Sequence, residues 1–506
     1  MNGGANGGPR RSGSMLSGAG VLVAGRYVVA ALGWGGTLIV VRELSKSDFG
    51  RFQFILSLLG IVGFIADLKL SRIVLRDLMA VEGDAAGDVV GSYVGLRLVI
   101  GFVSYAIAMA WVLIGGYPQD IVVGTAVAGL NLVILSAAFG VILLFEARFW
   151  LRDIAVSNVL GQVVQFALTV AIAVGGIASI LWFSWSTVAN SIALTLWLAL
   201  VTRRSVHVRI HVQWARWWVW LREAAPLALG AALDTVYFRI DIVMLSLLAS
   251  YSAVATYSVG YKFSDLLGAL PLAVLTPALT MMVAAWPDDA AAFRRTFRHA
   301  LIILAVGAVG ASVGFVVFAQ PLVTLLYGDR YADASDAARL LVVGQGLHFF
   351  TLLAFTTLVA AGRNRLYPIA MLVGVVLNVA LNIVLIPDYS YLGSGWATVV
   401  TEVAVLVVLG VGVARIPGVR PFPWAPMGKC LAAGVVTGLV GWALLDRIPW
   451  PIGGAITAAV YLAAVHFMKV NGAGGLRALG GEPRDDLAAI IEEGLDRPEP
   501  GAGMPG

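Results

Sequence analysis

The chain reads as an all-α polytopic membrane protein of about fourteen transmembrane helices, two six-helix lobes in pseudo-twofold repeat followed by two extra helices. Three observations carry this reading. Of 506 residues, 59% are hydrophobic and only 12% charged, whereas soluble domains run nearer ~45–50% apolar and ~25% charged. So few polar side chains do not cover a water-facing surface. Apolar runs of about 20 residues, each enough to cross a bilayer, recur along the chain between breakers such as Gly115-Gly116-Tyr117-Pro118, Gly175-Gly176 and Ile448-Pro449-Trp450-Pro451. Basic residues also alternate between abundant and scarce from one connection to the next.

In order, the spans fall at 17–41, 52–70, 91–114, 121–144, 154–175 and 178–201, then 223–247, 256–283, 299–319, 337–360, 367–386 and 393–414, then 429–445 and 451–468. The corresponding segments are a cytoplasmic tail (1–17), an N-lobe of spans 1–6 (18–201), a linker (202–222), a C-lobe of spans 7–12 (223–414), spans 13–14 (415–470) and a disordered cytoplasmic tail (471–506). With the N-terminus inside, twenty-four of the 34 Lys and Arg residues lie in inner segments. Five lie in outer loops (Arg42, Lys46, Arg51, Arg330, Arg447) and five within spans. Cytoplasmic segments carry the excess of Lys and Arg, so both termini are expected in the cytoplasm of a cell whose inner membrane holds the chain. The net charge of +5 has the same origin, and no nucleic-acid partner is expected.

Several chemistries are excluded. The single cysteine, Cys430, leaves no disulfide framework or thiolate metal site, and five histidines are too scattered for a zinc or haem centre. His207 and His211 have a ligand-like spacing but no third donor. No P-loop and no glycine fingerprint precedes a helix, and Ser, His and Asp do not converge in one loop. Neither an enzyme nor a cofactor protein is expected.

The linker has its own pattern. Val206, Val208, Ile210 and Val212 alternate with His207, Arg209 and His211, a period of two. Trp214, Trp217, Trp218 and Leu221 then recur at helical spacing with Arg216 opposite, which predicts an interfacial helix with its tryptophans in the headgroups. Gly91/Gly95 and Gly310/Gly314 have the spacing of close helix contacts. Leu44 to Phe52 overlays Ala249 to Tyr257 at an offset of 257 − 52 = 205 residues, about six spans. Internal repeats of that size are a transporter signature.

Further motifs follow in order: Leu326-Tyr327-Gly328-Asp329-Arg330-Tyr331, Ala361-Gly362-Arg363, Asn378 through Pro387 (NVALNIVLIP), and Gly393-Ser394-Gly395-Trp396-Ala397-Thr398. With Arg42-Glu43-Leu44 and Asp48-Phe49-Gly50 near the start, and Ile240-Asp241 followed by Tyr257 and Tyr261-Lys262, the chain resembles the Wzx-type polysaccharide-biosynthesis flippases. These form a branch of the multidrug/oligosaccharidyl-lipid/polysaccharide exporter superfamily. The likeness covers roughly residues 18–470 and departs at Trp396, where a small residue is usual. It implies movement of an undecaprenyl-pyrophosphate-linked oligosaccharide from the inner to the outer leaflet by alternating access. The implied partners are that glycolipid, membrane lipids and polysaccharide polymerase or glycosyltransferase machinery, with the protein a monomer. A lipid II-type flippase and a multidrug/cation antiporter of the same superfamily stay open beside it.

Ionisable groups inside spans are costly and mark cavities or partners. Arg97 and Arg339 lie near span ends and are expected to snorkel. Arg26, Arg239 and Lys262 are deeper, on spans that line the cavity in the resembled family, and are the candidates for binding a pyrophosphate. Asp241, with Asp234 and Glu402 behind it, is the candidate for a coupling proton or for balancing those cations. Lys262 and Asp265, at i and i+3, are expected to pair. Asn378 and Asn382 share a helix face, where their amides bond to a neighbouring span, and Pro387 is expected to end that helix.

Overall fold

The computed structural model describes residues 11–67, 70–81, 84–203, 208–416, 419 and 422–470, with side chains at 11–20, 22–23, 65–67, 84, 226–227, 229–231 and 234 outside the description. Most of both expected tails, His207 and the side chain of Asp234 therefore lie outside it. Every regular element among the described residues is helical. In chain order these are α1 (Arg11–Glu43), α2 (Lys46–Asp67), α3 (Ser71–Met79), α4 (Asp84–Ile114), α5 (Gln119–Ala147), α6 (Leu151–Val174), α7 (Ile180–Arg203) and α8 (Trp214–Leu248). There follow α9 (Tyr251–Leu267), α10 (Leu270–Ala285), α11 (Ala290–Tyr327), a 3-10 turn (Asp329–Tyr331), α12 (Ala334–Ala360), α13 (Leu366–Ala414), α14 (Trp424–Leu445) and α15 (Trp450–Phe467).

The all-helical polytopic architecture holds. By length and apolar content, 11 helical segments among the described residues suffice to cross a membrane, against the fourteen expected. The difference arises because α2 and α8 are not among the eleven, and because two expected spans fall within the single element α13. That element is broken in its middle. Ser390 has φ 52° and ψ −132°, and a Cβ on Gly393 would stand 2.4 Å from the Leu385 carbonyl oxygen, so the chain doubles back tightly here. The helix thus runs through Pro387, contrary to expectation, and breaks three residues later. Proline removes one backbone donor and crowds the carbonyl four residues earlier, but it is the left-handed Ser390 that reverses the chain.

Other ends follow the sequence closely. At Gly176 (φ +67°) the amides of Gly176 and Ile177 return to Ala173 and Ile172. At Gly362 (φ +69°), the centre of the Ala-Gly-Arg turn, Gly362 and Arg363 return to Val359 and Leu358. Both are Schellman caps, which need a left-handed residue that glycine supplies without a Cβ penalty.

The chain divides into two compact units. One comprises residues 1–267, 319–347 and 364–409; the other comprises 268–318, 348–363 and 410–506. In the larger unit, α3, α4, α5, α7 and the start of α8 share a core that includes Tyr93, Phe145, Leu198, Trp217 and Trp220. In the smaller, Ile302 and Ala305 of α11 pack with Cys430, Ala433 and Tyr461 of α14 and α15. There Gly310 lies under the Tyr461 ring, whose hydroxyl donates to the Val306 carbonyl at 2.8 Å. Gly310 thus makes a close contact of the kind its spacing suggested, whereas a Cβ on Gly314 would meet nothing within 4 Å.

Candidate functional site

The sequence overlay of residues 44–52 on 249–257 has a structural counterpart. Arg51, at the start of α2, donates to Asp120 in the first turn of α5 at 2.7 Å. At 256 − 51 = 205 residues further on, Thr256 of α9 donates to Asp333, just before α12, at 3.1 Å. The two copies also meet. Gly50 approaches Tyr251 so closely that a Cβ would stand 1.7 Å from its carbonyl oxygen, and the Arg51 guanidinium lies 5.5 Å from the Tyr251 ring. Lys46 of the first copy pairs at 2.6 Å with Asp333, the carboxylate that Thr256 of the second copy also bonds, beside the Tyr331 ring at 5.4 Å. Burial pushes the Tyr331 phenol up to about 12, so it faces Lys46 as a neutral ring.

Beyond this joint lies a buried carboxylate. Asp241 of α8 is 3% exposed. Its Oδ2 accepts from the Tyr257 hydroxyl at 2.7 Å and from Thr398 Oγ1 at 3.0 Å, and its Oδ1 accepts from Asn382 Nδ2 at 2.8 Å. The same Asn382 amide donates to Asn378 Oδ1 at 2.9 Å. The expected asparagine pair is therefore buried and does reach a neighbouring span, and Asp241 is what it reaches. Asn382 Oδ1 and Ser394 Oγ are enclosed there without partners among the described residues. The donor set is one carboxylate with amide and hydroxyl oxygens, the chemistry of a proton or a hard cation rather than a transition metal.

A second buried acid sits nearby on the same helices. Glu402 of α13 is 3% exposed and accepts from the Tyr237 hydroxyl at 2.8 Å, while Gly374 leaves room for the Tyr237 ring. The sequence does not mark Tyr237, Tyr257 and Thr398 as partners of these acids. Tyr257 and Thr398 lie 16 and 157 residues from Asp241, and no local spacing signals such pairs.

Arg239, two residues before Asp241, is exposed, and its side chain passes over Gly60 of α2, where a Cβ would stand 3.0 Å from Cδ. Lys262 of α9 is half-buried, Asp265 is exposed, and Arg239 acts electrostatically on both. Lys262 and Asp265 attract one another but do not close into an ion pair, so the expected pairing is looser than the spacing suggested. Arg26 is exposed on α1 and has no ion-pair partner among the described residues. Contacts of its neighbours place α1 against α6, with Gly25 on Ala155 and Gly33 on Gln162. The structure thus gathers Arg239, Lys262, Asp265, Asp241 and Glu402 around α8, α9 and α13; it does not bring Arg26 to them. Asp234 lies on α8, its side chain outside the described residues.

Two readings are corrected. Arg97 does not snorkel: it is fully buried, with its guanidinium 5.9 Å from the Tyr93 ring and 5.2 Å from the Phe139 ring. Aromatic faces supply the attraction that the headgroups were expected to give. The start of α8 is also not a helix with all its tryptophans outside. Trp214 and Trp218 are exposed, but Trp217, Trp220 and Ala224 form a buried stripe. Trp217 Nε1 donates to Ser92 at 3.0 Å and Trp220 Nε1 to Asp77 at 2.8 Å, because α3 and α4 offer acceptors at that face. Gly91 and Gly95 receive the linker backbone rather than a helix. A Cβ there would stand 2.0 Å from the Arg209 carbonyl oxygen and 2.9 Å from that of His211.

Comparison with known proteins agrees with this architecture. Residues 39–336 match the sequence profile of a family described as polysaccharide biosynthesis protein. No curated protein matches the chain in sequence. Among solved structures, the lipid II flippase MurJ in an inward closed conformation aligns with a TM-score of 0.72 at 12% identity, covering 89% of this chain and 99% of that one. An inward-facing multidrug resistance MATE family transporter of the MOP superfamily aligns with a TM-score of 0.61 at 16% identity, over 78% and 96%. A MOP superfamily transporter from Pyrococcus furiosus aligns at 0.54 and 16%, over 80% and 96%. At such identities the likeness is one of fold.

Proposed function

The chain belongs to the polysaccharide biosynthesis protein family, and on that premise we propose that it is a flippase for an undecaprenyl-pyrophosphate-linked oligosaccharide. It moves the headgroup from the inner to the outer leaflet of the cytoplasmic membrane by alternating access, with both termini in the cytoplasm. It acts as a transporter and not as an enzyme. The observation that carries the reading is the pair of cations Arg239 and Lys262, set on adjacent helices at a depth where an uncompensated charge is costly. A pyrophosphate crossing the membrane carries charge of the opposite sign, and guanidinium and ammonium groups offset its desolvation.

In this reading Arg26 extends the cationic path along α1. Asp241, shielded from solvent and satisfied by Tyr257, Asn382 and Thr398, takes up the coupling ion, while Asp234, Asp265 and Glu402 balance the cations. The prenyl tail stays in lipid. The protein works as a monomer beside the polymerase or glycosyltransferases that use its product.

The test is to deplete the protein from cells and assign each lipid-linked sugar pool to a leaflet. Accumulation of a polyprenyl-pyrophosphate oligosaccharide on the cytoplasmic leaflet is expected, and its composition identifies the cargo. Accumulation of lipid II would make this a lipid II-type flippase. An unchanged pool with new sensitivity to cationic drugs would replace the reading with antiport.

A further inference from the structure

A second set of polar side chains lies in the middle half of the N-terminal helices and has no part in the charged site. Asn131 of α5, Asn158, Gln162 and Gln165 of α6, and Asn190 of α7 are all partly exposed. Asn158, Gln162 and Gln165 stand at i, i+4 and i+7, so they share one face of α6. Asn190 Nδ2 donates to Gln165 Oε1 at 2.8 Å and to Gln162 Oε1 at 3.4 Å. Asn131 donates to Thr187 Oγ1 at 2.9 Å and accepts from Ser191 Oγ at 2.6 Å. Around them the helices are uncharged: the ionisable residues of α5, α6 and α7 are Asp120, Glu146, Arg152, Asp153 and Arg203, all in end turns.

These amides are only half used. Gln162 and Gln165 each engage one oxygen; neither Nε2 has a hydrogen-bond partner among the described residues, and both side chains stay half-exposed although Gln162 Nε2 lies against α1, 3.7 Å from where a Cβ on Gly33 would stand. An unpaired polar group is costly in hydrocarbon, so the part of this face that α1 leaves exposed meets water or a polar ligand. Its chemistry selects among ligands. Neutral amides hold donors and acceptors together and so match sugar hydroxyls, which do the same, whereas a phosphate needs cations and an organic cation needs carboxylates.

We propose that the amide face formed by Gln162, Gln165 and Asn190, with Asn158 and Asn131 beside it, is a subsite for the saccharide of the transported glycolipid. This rests on the flippase reading and divides the headgroup: sugars on the neutral amides of the N-terminal half, pyrophosphate on the cations of the C-terminal half. Mid-membrane amides that serve only to join helices would be indifferent to the sugar.

The experiment uses the full-length protein in nanodiscs of phosphatidylethanolamine and phosphatidylglycerol. Two probes are compared, sugar-free undecaprenyl pyrophosphate and the lipid-linked oligosaccharide fraction extracted from the cells that make the protein. The wild type is expected to bind the glycolipid more tightly than the sugar-free lipid. The pair Gln162→Leu/Gln165→Leu is expected to lose that preference by about tenfold, the scale of one net hydrogen bond, with binding of the sugar-free lipid unchanged. That unchanged binding also reports a folded protein. If the leucine pair does not insert, Gln162→Ala/Gln165→Ala carries the same test. Equal glycolipid binding by wild type and folded variant would overturn the subsite while leaving the flippase reading intact. Failure of the wild type to bind either lipid would instead overturn the flippase reading, and the subsite with it.

Discussion

Two groups of helices, α5–α7 and α8 with α9 and α13, handle buried polarity in opposite ways. In α5–α7 the mid-membrane groups are neutral amides and hydroxyls, partly exposed, bonded to each other at 2.6–3.4 Å with capacity to spare. In α8, α9 and α13 they are ionisable: Asp241 and Glu402 are almost wholly buried and closed by tyrosine hydroxyls, with Arg239 and Lys262 more open beside them. Leu44–Phe52 and Ala249–Tyr257, which overlay at a common offset, thus precede helices of different interior chemistry. Each segment bonds an aspartate at or just before the start of a later helix, Arg51 to Asp120 and Thr256 to Asp333. A repeat supplies the machinery for two arrangements about a shared axis, and the side chains inside each copy are then free to take on different ligands.

This contrast can be broken most severely at Asp241. Asp241→Asn is expected to abolish transport of lipid-linked oligosaccharide while the protein still inserts, because the amide keeps the shape but neither carries nor releases a charge. Asp241→Leu should also destabilise, by about 1–3 kcal/mol, because the Tyr257 and Thr398 hydroxyls and the Asn382 amide lose the acceptor they share, read as a lower unfolding temperature in detergent. Next come Arg239→Ala and Arg26→Ala, both expected to abolish transport with normal membrane levels. Full transport by both variants would remove the cationic path. Asn131→Leu in the neutral half sharpens the contrast, since it should lower transport far less than Asp241→Asn does.

The joint itself is tested by Gly50→Ala. The new Cβ meets the Tyr251 carbonyl, so α2 and α9 must separate, at about 1–3 kcal/mol by the usual scale of overpacking, measured by thermal unfolding. The smallest effect is expected for Lys46→Ala. Its ion pair with Asp333 is partly exposed, and such pairs contribute below about 1 kcal/mol; a larger loss of stability would mean that the pair acts with its neighbours as a unit.

Much of this was legible in the sequence, for identifiable reasons. Helix positions follow from apolar runs, and caps at Gly176 and Gly362 from residues that alone take left-handed backbone without strain. Asp241 stood out as a carboxylate inside an apolar helix, and Asn378 with Asn382 as amides one turn apart. What was not legible depends on long-range contact. Glu402 and Tyr237 are separated by 165 residues, and neither announces the other. Arg97 near a helix end invites snorkelling until Tyr93 and Phe139 are seen around it. Trp217 shares helical spacing with the exposed Trp214, but the acceptor at Ser92 turns it inward. Pro387 marks a helix end in sequence, whereas the reversal comes at Ser390, a residue with no intrinsic preference for it.

The account rests most directly on movement of a lipid-linked sugar by this chain alone. Purified protein in proteoliposomes loaded with the extracted lipid-linked oligosaccharide would be assayed for transfer between leaflets, with Arg239→Ala in parallel. Transfer by the wild type and its loss in the variant is the predicted result. Equal transfer by both, or none by the wild type above protein-free vesicles, would contradict the assignment of the charged half as the path of the pyrophosphate.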